Sequence, residues 1–100
     1  MSDVVEIVES EGGVELRLHG TVDVASAATL YAAACEVSEL GDVSLAWNDV
    51  ERIDISAFQI LLALGREVTR SGYAWRTGAP SPAVVESLRL SGLTTAFTSS

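Results

Sequence analysis

The spacing of apolar residues changes period several times along the chain, and each change marks an element. Val4 to Val8 is dense in β-branched residues, and Glu11-Gly12-Gly13 follows as a turn signal. Val14-Glu15-Leu16-Arg17-Leu18-His19 then alternates apolar and polar side chains, the period of a half-buried strand. These two segments predict an opening hairpin, with Gly20 closing its second strand. From Val24 to Leu40 the period becomes helical. Ala27, Leu30, Tyr31, Ala34 and Val37 recur at spacings of three and four and share one face. Asp23 stands at the N-cap position of this helix and Gly41 just past its end.

The second half continues the alternation. Val43-Ser44-Leu45-Ala46-Trp47 is a short apolar run that predicts a buried strand, followed by a polar loop from Asn48 to Arg52. Ile53-Asp54 leads into a helix from about Ser56 to Arg70, ended by Gly72. Tyr73-Ala74-Trp75-Arg76-Thr77 is an aromatic-rich strand candidate. Ser81-Pro82 opens a closing helix that carries Val84, Val85, Leu88 and Leu90 and stops at Gly92. Leu93 to Ser100 reads as a tail anchored by Phe97. Strands separated by helices require crossover connections, so the prediction is an α/β fold. Its mixed sheet has four to five strands with about three main helices, in a single domain over 1–100 whose core runs from about 4 to 97.

Composition narrows the function. Of 100 residues, 48% are hydrophobic and 20% charged, a globular balance. The net charge is −8, from 14 acidic residues against 6 arginines and no lysine. Such a surface repels phosphate backbones and anionic lipids, which argues against nucleic acid and membrane surfaces as partners. It suits solubility, or a basic partner. Cys35 is the sole cysteine, which gives no disulfide framework; within an Ala-rich helix it reads as a small buried thiol. Met1-Ser2-Asp3 opens no signal-peptide pattern and Ile60 to Leu64 is too short an apolar run to span a bilayer, so a cytoplasmic location is expected.

No convergent catalytic set is visible. His19, Ser56 and Asp23 or Asp54 do not stand in a Gly-x-Ser-x-Gly context. One histidine and one cysteine make no zinc site, and Gly12-Gly13 lacks the helix a phosphate loop requires. The expectation is therefore no catalysis, no metal and no cofactor. The lone His19 reads as a surface residue at a strand end, and Trp47 and Trp75 as core or edge packing.

The informative segment is Ile53-Asp54-Ile55-Ser56-Ala57-Phe58-Gln59-Ile60-Leu61-Leu62. An acid and a hydroxyl stand two apart where a strand gives way to a helix. A helix N-terminus offers unpaired N–H groups and partial positive charge, so a phosphate on Ser56 would be stabilised locally. It would also add roughly −1.5 to −2 charge to a small surface. The plainer reading is that Asp54 or Ser56 simply caps the helix. On the helix itself, Ala57, Ile60, Leu61, Leu64 and Val68 form a core stripe at 100° per residue. Phe58 and Leu62 lie beyond one edge of it, which marks them as candidate docking residues beside Ser56, with Gln59 on the opposite side.

This segment resembles the signature of the STAS domain family, shared by anti-sigma factor antagonists and the tails of sulfate transporters. Leu18-His19-Gly20-Thr21-Val22-Asp23 is similar to the family's second strand and its exit, and Ser81-Pro82-Ala83-Val84-Val85 with Leu88, Ser91-Gly92-Leu93 and Phe97 to its closing helix. The resemblance implies that Ser56 matches the phosphorylated position of anti-sigma factor antagonists, with Asp54 and Asp23 as the acids near it. It further implies a partner that is both an anti-sigma factor and a GHKL-type serine kinase, whose phosphorylation of Ser56 ends the complex. The expected contact surface joins these residues to those offered by helix geometry: Asp23, Asp54, Ser56, Phe58, Gln59 and Leu62. Ile55 departs from the usual Ser or Thr, Ala57 from Gly, and Ala46 from an acidic residue. The Ile55-Ser56-Ala57-Phe58-Gln59-Ile60-Leu61-Leu62 run also resembles STAS proteins that accompany chemotaxis clusters or lipid-transport ATPases. The alternative is therefore a constitutive accessory subunit of such a complex without a phosphate switch, and a third reading is a purely structural or oligomer-forming role.

Overall fold

The computed structural model describes residues 4–98; Met1-Ser2-Asp3 and the last two residues of the predicted tail lie outside the described residues. Its strands are β1 (Val5–Ser10), β2 (Gly13–Val22), β3 (Val43–Ile53) and β4 (Trp75–Thr77), and its helices α1 (Ala27–Val37), α2 (Ile55–Arg70), α3 (Pro82–Ser91) and α4 (Thr94–Thr98). They form a mixed sheet in the order β1-β2-β3-β4. The β1–β2 pair is antiparallel, while β2–β3 and β3–β4 are parallel.

Alternation fixes which face is covered. Val14, Leu16 and Leu18 of β2, with Val43, Leu45 and Trp47 of β3, are buried in the core. The intervening Glu15 pairs in register with Ser44, and Arg17 with Ala46, on the uncovered face. There His19 meets Glu6 at 2.7 Å. On the covered face the helices bring Leu30, Ala33, Ala34 and Val37 from α1, Ala57, Phe58, Leu61, Leu64 and Val68 from α2, Val84 and Leu88 from α3, and Phe97 from α4. Burying aliphatic and aromatic groups of this size, at about 1.5–3 kcal/mol each, is the main driving force.

Two glycines carry close approaches. Gly13 has φ +149, and a side chain there would run into the backbone carbonyl of Asp42. Gly65, inside α2, lies against the Trp75 indole, which a Cβ would meet at 2.8 Å.

Several sequence expectations change. β3 runs on through the segment predicted as a polar loop, because its pairing with β2 slips between Arg17 and His19 and again between Gly20 and Thr21. Each slip accommodates an extra β3 residue and resets the alternation, so the segment has no single period to read. Strand β2 likewise continues past Gly20 to Val22. Helix α1 starts later than predicted, after a 3-10 turn at Val24–Ser26, and its buried stripe includes Ala33 instead of Tyr31, which is 62% exposed. Cys35 is exposed, not buried, since it lies one residue round the helix from that stripe. The tail forms the short helix α4, and Phe97 anchors it as expected.

Candidate functional site

The site stands where two neighbouring parallel strands end. Val22 of β2 is in register with Ile53 of β3, and the Asp54 N–H donates to the Val22 carbonyl at 2.9 Å. Asp23 and Asp54 therefore leave the sheet side by side, and each begins a helical segment. Asp54, extended at φ −96 and ψ 157, caps α2: its carboxylate accepts the Ser56 N–H at 3.0 Å and the Ser56 hydroxyl at 2.7 Å. Asp23 does the same for the 3-10 turn, accepting the Ser26 N–H at 3.2 Å and its hydroxyl at 3.3 Å. Aspartate at these positions satisfies donors that the first helical turn leaves orphaned.

The electrostatics follow from the cap. The Ser56 hydroxyl, then the Ser56 and Ile55 backbone N–H groups, hold the Asp54 carboxyl below the usual carboxylate range. Asp54 is thus an ionised, exposed acceptor beside the hydroxyl of a half-buried serine. Both exits also display an aliphatic side chain to solvent: Val24 is 72% exposed and Ile55 51%.

The predicted site residues divide. Asp23, Asp54, Ser56 and Gln59 are all at least partly accessible, and the strand register brings the first three to one end of the sheet. Phe58 is a correction. It is 1% exposed, and its ring packs edge-on to Trp47 at 6.4 Å and against Phe97 at 5.8 Å, so it belongs to the core and presents nothing to a partner. Leu62 is half-buried on the other flank of α2, beside Gly65, Arg66 and Trp75, away from the flank that carries Ser56. The cause is rotational: the apolar arc of α2 is wider than a core stripe, and the sheet takes Phe58 and Gly65 where periodicity offered Ile60.

The flank carrying Ser56 faces α1 across an open groove of about 600 Å³. Ala34, Ile60, Ala63 and Leu64 line it, with Tyr31 and Gln59 among its polar neighbours. Ile55, noted in the sequence only as a departure beside Ser56, and Val24 and Ala63 were not among the candidate site residues. The signal available for the first two was position, since each directly follows a capping aspartate and precedes any core residue of its helix. Among the described residues, no group of three or more metal-ligating side chains converges, and no helix is long and apolar enough to cross a membrane.

Comparison with known proteins finds the same fold in several solved structures. The anti-sigma factor antagonist SpoIIAA in its unphosphorylated form superposes with a TM-score of 0.72 at 21% identity, over 89% of this chain and 81% of that one. The phosphorylated form of this Bacillus cell fate determinant gives 0.68 at 20%, over 89% and 84%. A provisionally assigned anti-sigma factor antagonist from Thermotoga maritima gives 0.74 at 16%, over 93% and 82%. A structure of Mglu gives 0.68 at 20% identity, over 79% of this chain, which spans only 20% of the length of Mglu. At these identities the likeness is one of fold. No curated protein sequence matches the chain. The family model described as "Mlab, STAS domain" matches residues 6–98, nearly the whole length, and the chain accordingly belongs to the STAS domain family.

Proposed function

We propose that this chain is a non-enzymatic regulatory module that docks an anti-sigma factor with serine-kinase activity and is released when that kinase phosphorylates Ser56. The observation that carries this reading is the half-buried, solvent-reachable Ser56 at the mouth of α2, its hydroxyl bonded at 2.7 Å to the Asp54 carboxylate. SpoIIAA, which shares the fold, is known in unphosphorylated and phosphorylated forms.

The chemistry is direct. The kinase supplies ATP and the base; the Ser56 oxygen bonds to the γ-phosphorus, the bond to ADP breaks, and the hydroxyl proton passes to the base. Asp54 accepts the hydroxyl's hydrogen bond and so orients its oxygen. Once esterified, the oxygen no longer donates to Asp54, and a phosphate of roughly −1.5 to −2 charge stands beside an ionised carboxylate. The N–H groups of the first turn of α2 favour that phosphate, while its charge disrupts a partner contact built for a neutral hydroxyl.

Incubation with a candidate GHKL-type kinase and ATP, read by intact mass, tests the reading. The expected result is a gain of one phosphoryl group that disappears in Ser56→Ala, with loss of the complex on modification. A stable complex that ignores nucleotide and leaves the mass unchanged would instead identify an accessory subunit of a transport ATPase or chemotaxis complex.

A further inference from the structure

We propose that the groove between α1 and α2 receives an amphipathic helix of the partner, apolar toward the groove and basic along its border. The inference rests on the reading of Ser56 as a partner-facing residue and extends it from one hydroxyl to a surface. Ser56 and Gln59 stand at one end, Ala34, Ile60, Ala63 and Leu64 give an apolar lining, and Glu39 and Glu67 belong to the same groove. Two helices side by side leave a trough that the ridge of a third helix fills, with anchors at i, i+3, i+4 and i+7. Alanines at 34 and 63 let its backbone come close.

Charge selects the occupant. The charged side chains lining the groove are both carboxylates. The chain contains no arginine or lysine between Arg17 and Arg52, a stretch that spans all of α1, while Asp23, Glu36, Glu39, Asp42, Asp49 and Glu51 fall within it. The arginines of α2, Arg66 and Arg70, line the opposite flank beside Leu62 and Trp75. Arg70 reaches round to Glu67 at 2.7 Å, so Glu39 is the more available carboxylate. A second copy of a chain with net charge −8 is disfavoured by the same field, as is an anionic membrane. A helix bordered by arginine or lysine is matched to it.

The test needs no kinase, so its failure is separable from failure of the phosphate switch. The ¹⁵N-labelled protein is titrated with a short amphipathic helical peptide of Leu, Ala and Arg, and with its Glu-for-Arg counterpart. The Arg peptide is expected to shift the amides of Ala34, Cys35, Ile60 and Ala63 saturably, and the Glu peptide to leave them in place. Ala63→Tyr, on an exposed position, should weaken binding by about tenfold with the fold retained, and Glu39→Arg should weaken the Arg peptide comparably. The proposal is overturned if the shifts scatter over other acidic surfaces, if both peptides act alike, if neither binds, or if either variant binds as the parent does. Concentration-dependent self-association through these same amides would make a second copy the occupant and overturn it equally.

Discussion

One carboxylate oxygen of Asp54 accepts both the backbone N–H of Ser56, at 3.0 Å, and its hydroxyl, at 2.7 Å. The helix cap and the proposed phosphate acceptor are thus one hydrogen-bonded unit. Whatever alters the serine alters the start of α2.

The first prediction concerns acid. Since Ser56 lowers the Asp54 pKa in the folded chain, Asp54 contributes stability that is present above the unfolded carboxylate pKa and is lost as pH falls through the lowered folded value. Ser56→Ala removes the largest cause of that shift. The Asp54 carboxyl, followed by NMR titration, should move up toward the ordinary range, and the variant should lose less stability than the parent across that acidic window. An unmoved Asp54 titration would mean that the backbone N–H groups alone set it.

A second prediction rests on Ser81, a buried cap. Its hydroxyl donates to the Val50 carbonyl at 2.6 Å and accepts the Val84 N–H at 3.2 Å, tying the start of α3 to the bulged part of β3. Ser81→Ala leaves a buried carbonyl and a helix donor without partners. The expected cost is about 1–3 kcal/mol by urea denaturation, well beyond that of a surface change.

The caps of α2 and α3 were legible in the sequence because capping is local chemistry: Asp54 and Ser81 each stand one residue before their helix and accept from its first turn. The alternation of β2 and the order of elements were legible for the same reason. Asp23 caps the 3-10 turn in place of α1 itself, whose N-cap Ser26 makes no side-chain bond. What escaped was set by neighbours. The continuation of β3 depends on its bulged pairing with β2, which no single-strand period encodes. The Ala-rich α1 offers too little contrast between faces to fix its rotation, hence Tyr31 and Cys35 outward. On α2, the choice of Phe58 over Ile60 for the core was made by Trp47 and Phe97, one from β3 and one from the end of the chain.

A third prediction opposes propensity to packing. Gly65→Ala inside α2 gains about 1 kcal/mol of helix propensity. Its methyl, however, would stand 2.8 Å from the Trp75 indole nitrogen and 3.0 Å from two ring carbons. Packing is expected to win, with a lower denaturation midpoint and altered Trp75 resonances. In the Trp75→Leu background the same alanine should become neutral or stabilising, a coupling that a double-mutant cycle measures. Equal effects in both backgrounds would show that the ring yields freely.

The last prediction separates core from surface on the first turn of α2. Phe58 fills space among Trp47, Phe97 and the aliphatic core, so Phe58→Ala leaves a cavity and should cost about 3–5 kcal/mol, a large part of the roughly 5–15 kcal/mol that holds a small domain folded. Any loss of partner binding in that variant would follow from unfolding. Ile55, three residues earlier and half exposed, should behave in the opposite way. Ile55→Ala is expected to leave stability within about 0.5 kcal/mol of the parent while weakening the complex with the partner, because its side chain stands beside Ser56 and covers no core. Thermal melts and binding measured on the same two preparations give the answer. If Ile55→Ala bound as tightly as the parent, this aliphatic position would lie outside the contact surface. Partner contact at this end of the sheet would then fall to the polar groups alone.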